Sequence, residues 1–181
     1  MTNELPNFQK GLDYFKSKVV RTILPQRIGA AAQRHFTMSF RDQGFTDKSL
    51  RRWMPSKGVK PNRTLKKSQA LANSIRVDEQ TPQRISVVAG NQHIPYARIH
   101  NEGAWIRGQK TVRAHTRGPF KRRRKGRVEQ VKQHSVRRHQ AKLNIWIRKR
   151  QFMGKSAVLD MEIGRVIDVT IADARKQIFG H

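Results

Sequence analysis

Lys121, Arg122, Arg123, Arg124 and Lys125 form an unbroken run of five cations. A block of this kind neutralises phosphates and releases their counterions, with strong salt dependence. It carries little sequence information, because base edges specify and backbone contacts only position. Arg127, Arg137 and Arg138 lie close behind it in the chain and complete a candidate surface for a polyanion or an acidic partner. Phe120 precedes the block and can stack on a base, but one aromatic is not a stacking platform. The competing reading is a solvated charge run that touches nothing.

The other chemistry-bearing residues form no recognisable constellation. His134 and His139 are five apart, off the i,i+4 pairing of a helix, and Arg137 and Arg138 between them would repel a metal cation. Glu102 and Glu129 are the only acids in residues 101–150, which leaves no carboxylate pair for acid–base work there. Asp160, Glu162, Asp168 and Asp173 cluster near the C-terminus and read as a solvated helix face. The glycines are scattered, and none precedes a Lys-Ser/Thr pair at phosphate-loop spacing. With no cysteine, neither a disulfide nor a thiolate metal site is available. No catalytic, cofactor-binding or metal-ligating residue is expected, and no cofactor.

The cations sit in a chain of 181 residues with a formal net charge of +27. They are unevenly spread. Residues 101–150 hold 17 basic and 2 acidic side chains, whereas residues 151–181 hold four of each. Such an excess implies polyanionic or acidic partners. Apolar residues make up 36% of the chain, so much of it must lie outside a core. The first residues lack the basic and apolar regions of a signal peptide, and no apolar run reaches the ~20 residues that span a bilayer. A protein made in the cytoplasm, with no membrane partner, is expected.

The elements that must position these residues can be read from periodicity. Phe8, Leu12, Phe15 and Val19 recur at helical spacing. Ile28, Ala32, Phe36 and Phe40 continue the stripe, with a bend expected at Pro25 and an end at Gly44. Residues 45–63 read as a turn-rich segment in which Trp53 plugs an edge of the core or an interface. A short helix is predicted over Thr64–Ser74, capped by Thr64. Ile85–Gly90 reads as a strand, with Ile75 and Val77 as its hairpin partner across Asp78–Gln83. In residues 104–150, Thr111–His115 and Arg127–Val131 read as β-pieces flanking a basic turn, Gly118–Gly126. The alternative is a basic loop without fixed structure. Ser156 is placed to cap a last helix whose apolar face is Leu159, Ile163, Val166, Ile167, Ile171, Ala174 and Ile178.

Several of these pieces occur in a telling order. They are FTMSFRDQG (Phe36–Gly44), Trp53-Met-Pro, LKKSQALANSIR (Leu65–Arg76), ISVVAG (Ile85–Gly90), YARIHNEG (Tyr96–Gly103) and RQFMGKS (Arg150–Ser156). In this order the chain resembles the phage virion morphogenesis family, which includes Mu-type tail-completion and head–tail connector proteins. The stretch 104–150 is longer than the simplest members are expected to carry. The motifs read first as fold signatures, with Tyr96 and Ile99 packed on the strand and Phe152 buried.

Combined with the periodicity, the resemblance implies an α+β protein. Its parts are a long N-terminal helix, a small antiparallel sheet with a protruding basic hairpin arm, and a C-terminal helix. The organisation expected is one domain overall: residues 1–103 begin the body, 104–150 form the arm, and 151–181 pack back on the body. The implied role is a structural virion protein of the neck or tail terminus, assembled in the bacterial host cytoplasm. It would form a homo-oligomeric ring, a hexamer or dodecamer, that joins tail to head. Adjacent portal-side, head-completion and tail proteins are the expected partners, with packaged double-stranded DNA a further one. The alternatives are a basic nucleic-acid-binding protein and an assembly factor absent from the virion.

Overall fold

The computed structural model describes residues 4–55, 64–65, 68–124 and 126–179. The chain divides into two compact units: the body, residues 1–103 with 148–181, and a second unit, Ala104–Ile147. The fold is α+β, as expected.

The body opens with α1 (Glu4–Tyr14), which passes through a π-helical segment (Phe15–Ile23) into α2 (Leu24–Asp42). Where a bend is expected near Pro25, the chain has a π-helical segment just before it, and Pro25 occupies the first turn of α2, where its missing N–H costs nothing. α2 ends at Asp42, and the left-handed cap expected at Gly44 falls one residue earlier, on Gln43 (φ 53°). Gly44 instead opens a strand. A Cβ there would sit 2.6 Å from the Arg51 carbonyl oxygen, so glycine is needed for close approach.

That strand is β1 (Gly44–Thr46), and it pairs antiparallel with β2 (Leu50–Arg52). The segment read as turn-rich thus contains a small hairpin, and Trp53 follows it into the core. Of the helix predicted over Thr64–Ser74, Lys66 and Lys67 lie outside the described residues, and the described part holds α3 (Ala70–Asn73), which begins only after Gln69 because that residue has a positive φ of 53°. Thr64 is not its cap. Its backbone N–H donates to the Gln43 side chain, and its carbonyl accepts from the same amide. β3 (Arg76–Gln80) and β4 (Ile85–Val88) form the expected hairpin, but Asp78–Gln80 belong to β3 and the turn is Thr81–Arg84, whose backbones bond each other.

The YARIHNEG segment supplies α4 (Ala97–Glu102), in which Ala97 is buried while Tyr96 stands exposed, against expectation. The last helix, here α5, spans Ala157–Phe179. Ser156 caps it, its Oγ accepting from the Leu159 N–H at 3.1 Å. Its inward face differs in one place from the predicted stripe. Ile171 is 43% exposed, and the neighbouring Thr170 is buried instead. Thr170 is satisfied there, donating to the Val166 carbonyl and accepting from Arg27, which also pairs with Asp173.

The core gathers Phe36 and Phe40 from α2, Phe45, Trp53, Leu71, Ile75, Ile94, Ala97, Phe152 and Leu159. Phe40 lies at its centre. Its ring meets Trp53 edge-on at 5.3 Å and Phe152 at 5.1 Å, an arrangement that aromatic quadrupoles favour.

The second unit is one long β-hairpin. β5 (Ala104–Val112) pairs with β10 (His139–Ile147), β6 (His115–Arg117) with β9 (His134–Val136), and β7 (Phe120–Arg124) with β8 (Arg127–Val131). The turn is therefore not Gly118–Gly126: most of that basic stretch is strand. The last facing pair is Arg124 and Arg127, and between them Gly126 takes φ +79°, a conformation glycine adopts freely. The hairpin ends at Ile147, so Arg148–Arg150 belong to the body and not to the ribbon.

Candidate functional site

The register of the ribbon never slips. Ala104 faces Ile147, His115 faces Val136, and Arg124 faces Arg127, with each step on one leg matched on the other. Two breaks interrupt the ladder at equal depth on both legs. Arg113–Ala114 lie at the level of Arg137–Arg138, and Gly118–Pro119 at the level of Lys132–Gln133. Pro119 has no N–H to give a ladder, which accounts for its placement in a break.

The breaks follow a five-residue phase that sequence reasoning missed. The first residue of the strand after each break is His115, Phe120, His134 or His139. Each of these histidines donates from Nδ1 to the carbonyl two residues earlier, at Arg113 (2.9 Å), Lys132 (3.0 Å) and Arg137 (2.9 Å). The ring thus satisfies a carbonyl in the break and leaves Nε2 for other partners. The signal was present in sequence: a cation two places before each histidine.

The predicted contact residues do not form one cluster. Lys121, Arg122, Arg123 and Arg124 lie on β7 and Arg127 on β8, around the ribbon end, whereas Lys125 is outside the described residues. Arg137 and Arg138 lie in the break nearer the body end of the hairpin, ten residues behind Arg127. At ~3.3 Å per residue that is roughly 33 Å of strand. Arg122 donates to Glu129 across the ladder at 3.0 Å, and Glu129 is the one acid in a ribbon with fourteen Lys and Arg. Arg117 lies over the Phe120 ring at 4.3 Å.

The proximal part of the ribbon has a different chemistry. On one face Trp105 and Trp146 pair at 5.4 Å, each about half exposed. The register puts Ile106 with Ile145 and Ala104 with Ile147 on the other face.

Within the body, the segments leading into and out of the ribbon are bonded to each other. Arg150 N–H donates to the His100 carbonyl at 2.7 Å. The Asn101 Oδ1 accepts from the backbone N–H of Phe152 (2.9 Å) and of Met153 (3.0 Å). Trp53 Nε1 donates to the Gln151 carbonyl at 2.7 Å. The two sharpest motifs, YARIHNEG and RQFMGKS, are thus two halves of one clamp. Replacing Asn101 with alanine leaves two partly buried N–H groups without their acceptor. The expected cost is about 2 kcal/mol in urea unfolding, with Asn101→Asp, which keeps the acceptor, closer to the parent protein.

Burial, and then the charge of Arg150, lower the pKa of His100 below its ordinary value of 6.5. Its buried Nδ1 has no hydrogen-bond partner among the described residues. The unfolded chain therefore binds more protons than the folded one below pH 6.5. Stability is complete above that value and is lost as pH falls through it towards the folded pKa. The urea midpoint is expected to fall between pH 7 and 5.5, and His100→Gln should flatten that fall.

Among the described residues, no group of three or more His, Asp or Glu is placed to hold a metal ion, and no helix is long and apolar enough to cross a membrane. Comparison of the chain with protein-family models, curated proteins and solved structures gives no match.

Proposed function

We propose that this protein is a structural subunit of a phage particle, in the head–tail connector, neck or tail terminus, where a ring of copies completes the tail and joins it to the head. The clamp carries this reading. Two motifs of the resemblance, about fifty residues apart, close on each other through Asn101 and Arg150, and the chain between them is spent on a ribbon. A two-stranded ribbon buries little of its own surface and is marginal alone in water. Trp105, Trp146 and Ile145 are 53%, 49% and 45% exposed, an apolar base that calls for cover. In a ring of cyclic symmetry each copy offers the same element to the next, so one contact repeats to closure.

The charge refines the proposal. Without its ribbon the chain still has a net charge of +14. Strongly basic ribbon ends therefore gain nothing on average from an identical neighbour, whereas the less charged base can pack there. The ring has six or twelve copies in this reading, and adjoining head and tail proteins cover its two ends. No catalytic role is proposed. A second reading, a nucleic-acid-binding protein outside the virion, draws on the cations of β7 and β8.

Sedimentation of the purified chain should give a closed oligomer or concentration-dependent assembly, and electron microscopy of intact particles should place it at the neck. A strictly monomeric chain that is missing from mature particles would sink the proposal and favour an assembly factor.

A further inference from the structure

We infer that the distal ribbon, from Arg113 to Arg138, is a contact surface for duplex nucleic acid, entering a groove and gripping the phosphates that flank it. The inference goes beyond the ring reading and does not depend on it.

Charge density comes first. Eleven Lys and Arg and a single acid lie between Arg113 and Arg138. Packing so many like charges side by side destabilises a ladder. An external polyanion relieves that repulsion.

The distribution of charge then selects the polyanion. In the terminal segment the register puts Lys121 and Arg123 on one face with Gln130 and Val128. It puts Arg122 and Arg127 on the other face, with Glu129. A flat acidic protein surface can meet only one of these faces. A ribbon lying in a groove has a row of phosphates on either side and can use both. A duplex major groove is about 12 Å wide and admits a two-stranded β-ribbon. The polar residues between the cations, among them Thr116 and Ser135 at facing positions, are small enough for close approach. With cations reaching phosphates and few groups to read bases, the contact is expected to be insensitive to sequence.

Glu129 provides the sharpest handle. It engages Arg122 at 3.0 Å and so masks one cation. Its removal should improve binding, an outcome that misfolding cannot imitate.

The test uses the full-length protein and a fluorescent 30-base-pair duplex, with affinity measured across salt concentrations. Each cation at a phosphate contributes about 0.9 to the slope of log affinity against log salt. Lys121→Gln with Arg123→Gln should make the slope shallower by about 2, and Arg127→Gln by about 1, with the circular-dichroism spectrum unchanged in both. Glu129→Gln should make it steeper by about 1 and bind more tightly at every salt concentration. Three outcomes would each overturn the inference: slopes that none of these changes moves, an effect confined to one face, or a charge-matched polyglutamate that binds as tightly as the duplex. The last two would assign the surface to an acidic protein. Because no particle or ring enters the measurement, its failure leaves the connector reading standing, and failure of that reading leaves this one testable.

Discussion

Phe152→Ala should lower the unfolding free energy by about 3–5 kcal/mol, the range for truncating a buried phenylalanine. Phe152 is 1% exposed and touches the centre of the core through Phe40. Its backbone is held as firmly as its ring: its N–H donates to Asn101 and its carbonyl accepts from Ser39. A site pinned on both sides collapses poorly around a cavity, which puts the cost towards the upper part of the range. Phe152→Leu fills most of the volume and should cost less. Val128→Ala, at a ribbon position 65% exposed, should be nearly silent. Denaturant unfolding of the three variants checks this ranking. A Phe152→Ala variant no less stable than Val128→Ala would mean that the clamp does not close on the core as described.

The second large effect concerns excision. Ala104 and Ile147 are a facing pair, so their backbones lie within one strand spacing and a Gly-containing turn of two or three residues can replace everything between them. The body keeps its own core, whose members among the described residues all lie outside 104–147. Excision removes fourteen cations and one acid and lowers the net charge from +27 to +14. The shortened chain should fold cooperatively, lose its self-association and lose duplex binding at moderate salt. Sedimentation, calorimetry and the duplex titration read the three results separately. An excised chain that still assembles would move the ring contact onto the body.

Where one face of an element is apolar, the sequence is legible. Ser156 followed by a 3.6-residue stripe announces α5, and Ile28, Ala32, Phe36 and Phe40 announce α2. Alternation around Ile85–Val88 announces a hairpin. The ribbon is legible as a basic hairpin arm, but the full length of its strands is not, because both of its faces are polar over most of that length and period-two alternation has no contrast to show. Gly118–Pro119 imitates a turn there, although it sits at a matched break in two continuing legs. Gln69 is a different obstacle: nothing in its type announces a left-handed backbone, so α3 looks longer in sequence than it is. The clamp was legible only as motifs. A side-chain amide that accepts from backbone groups about fifty residues away leaves no local trace, so Asn101 could be noticed but not given its role.

The five-residue phase of the ribbon makes its length adjustable. Inserting one more unit of five residues in each leg, with its cation and its carbonyl-bound histidine, would preserve the facing of every pair beyond it. The hairpin would lengthen by ~17 Å while its clamp and its end loop stayed as they are. A protein built this way can match its reach to a partner of different size by counting units, without any change to the body that folds around Phe152.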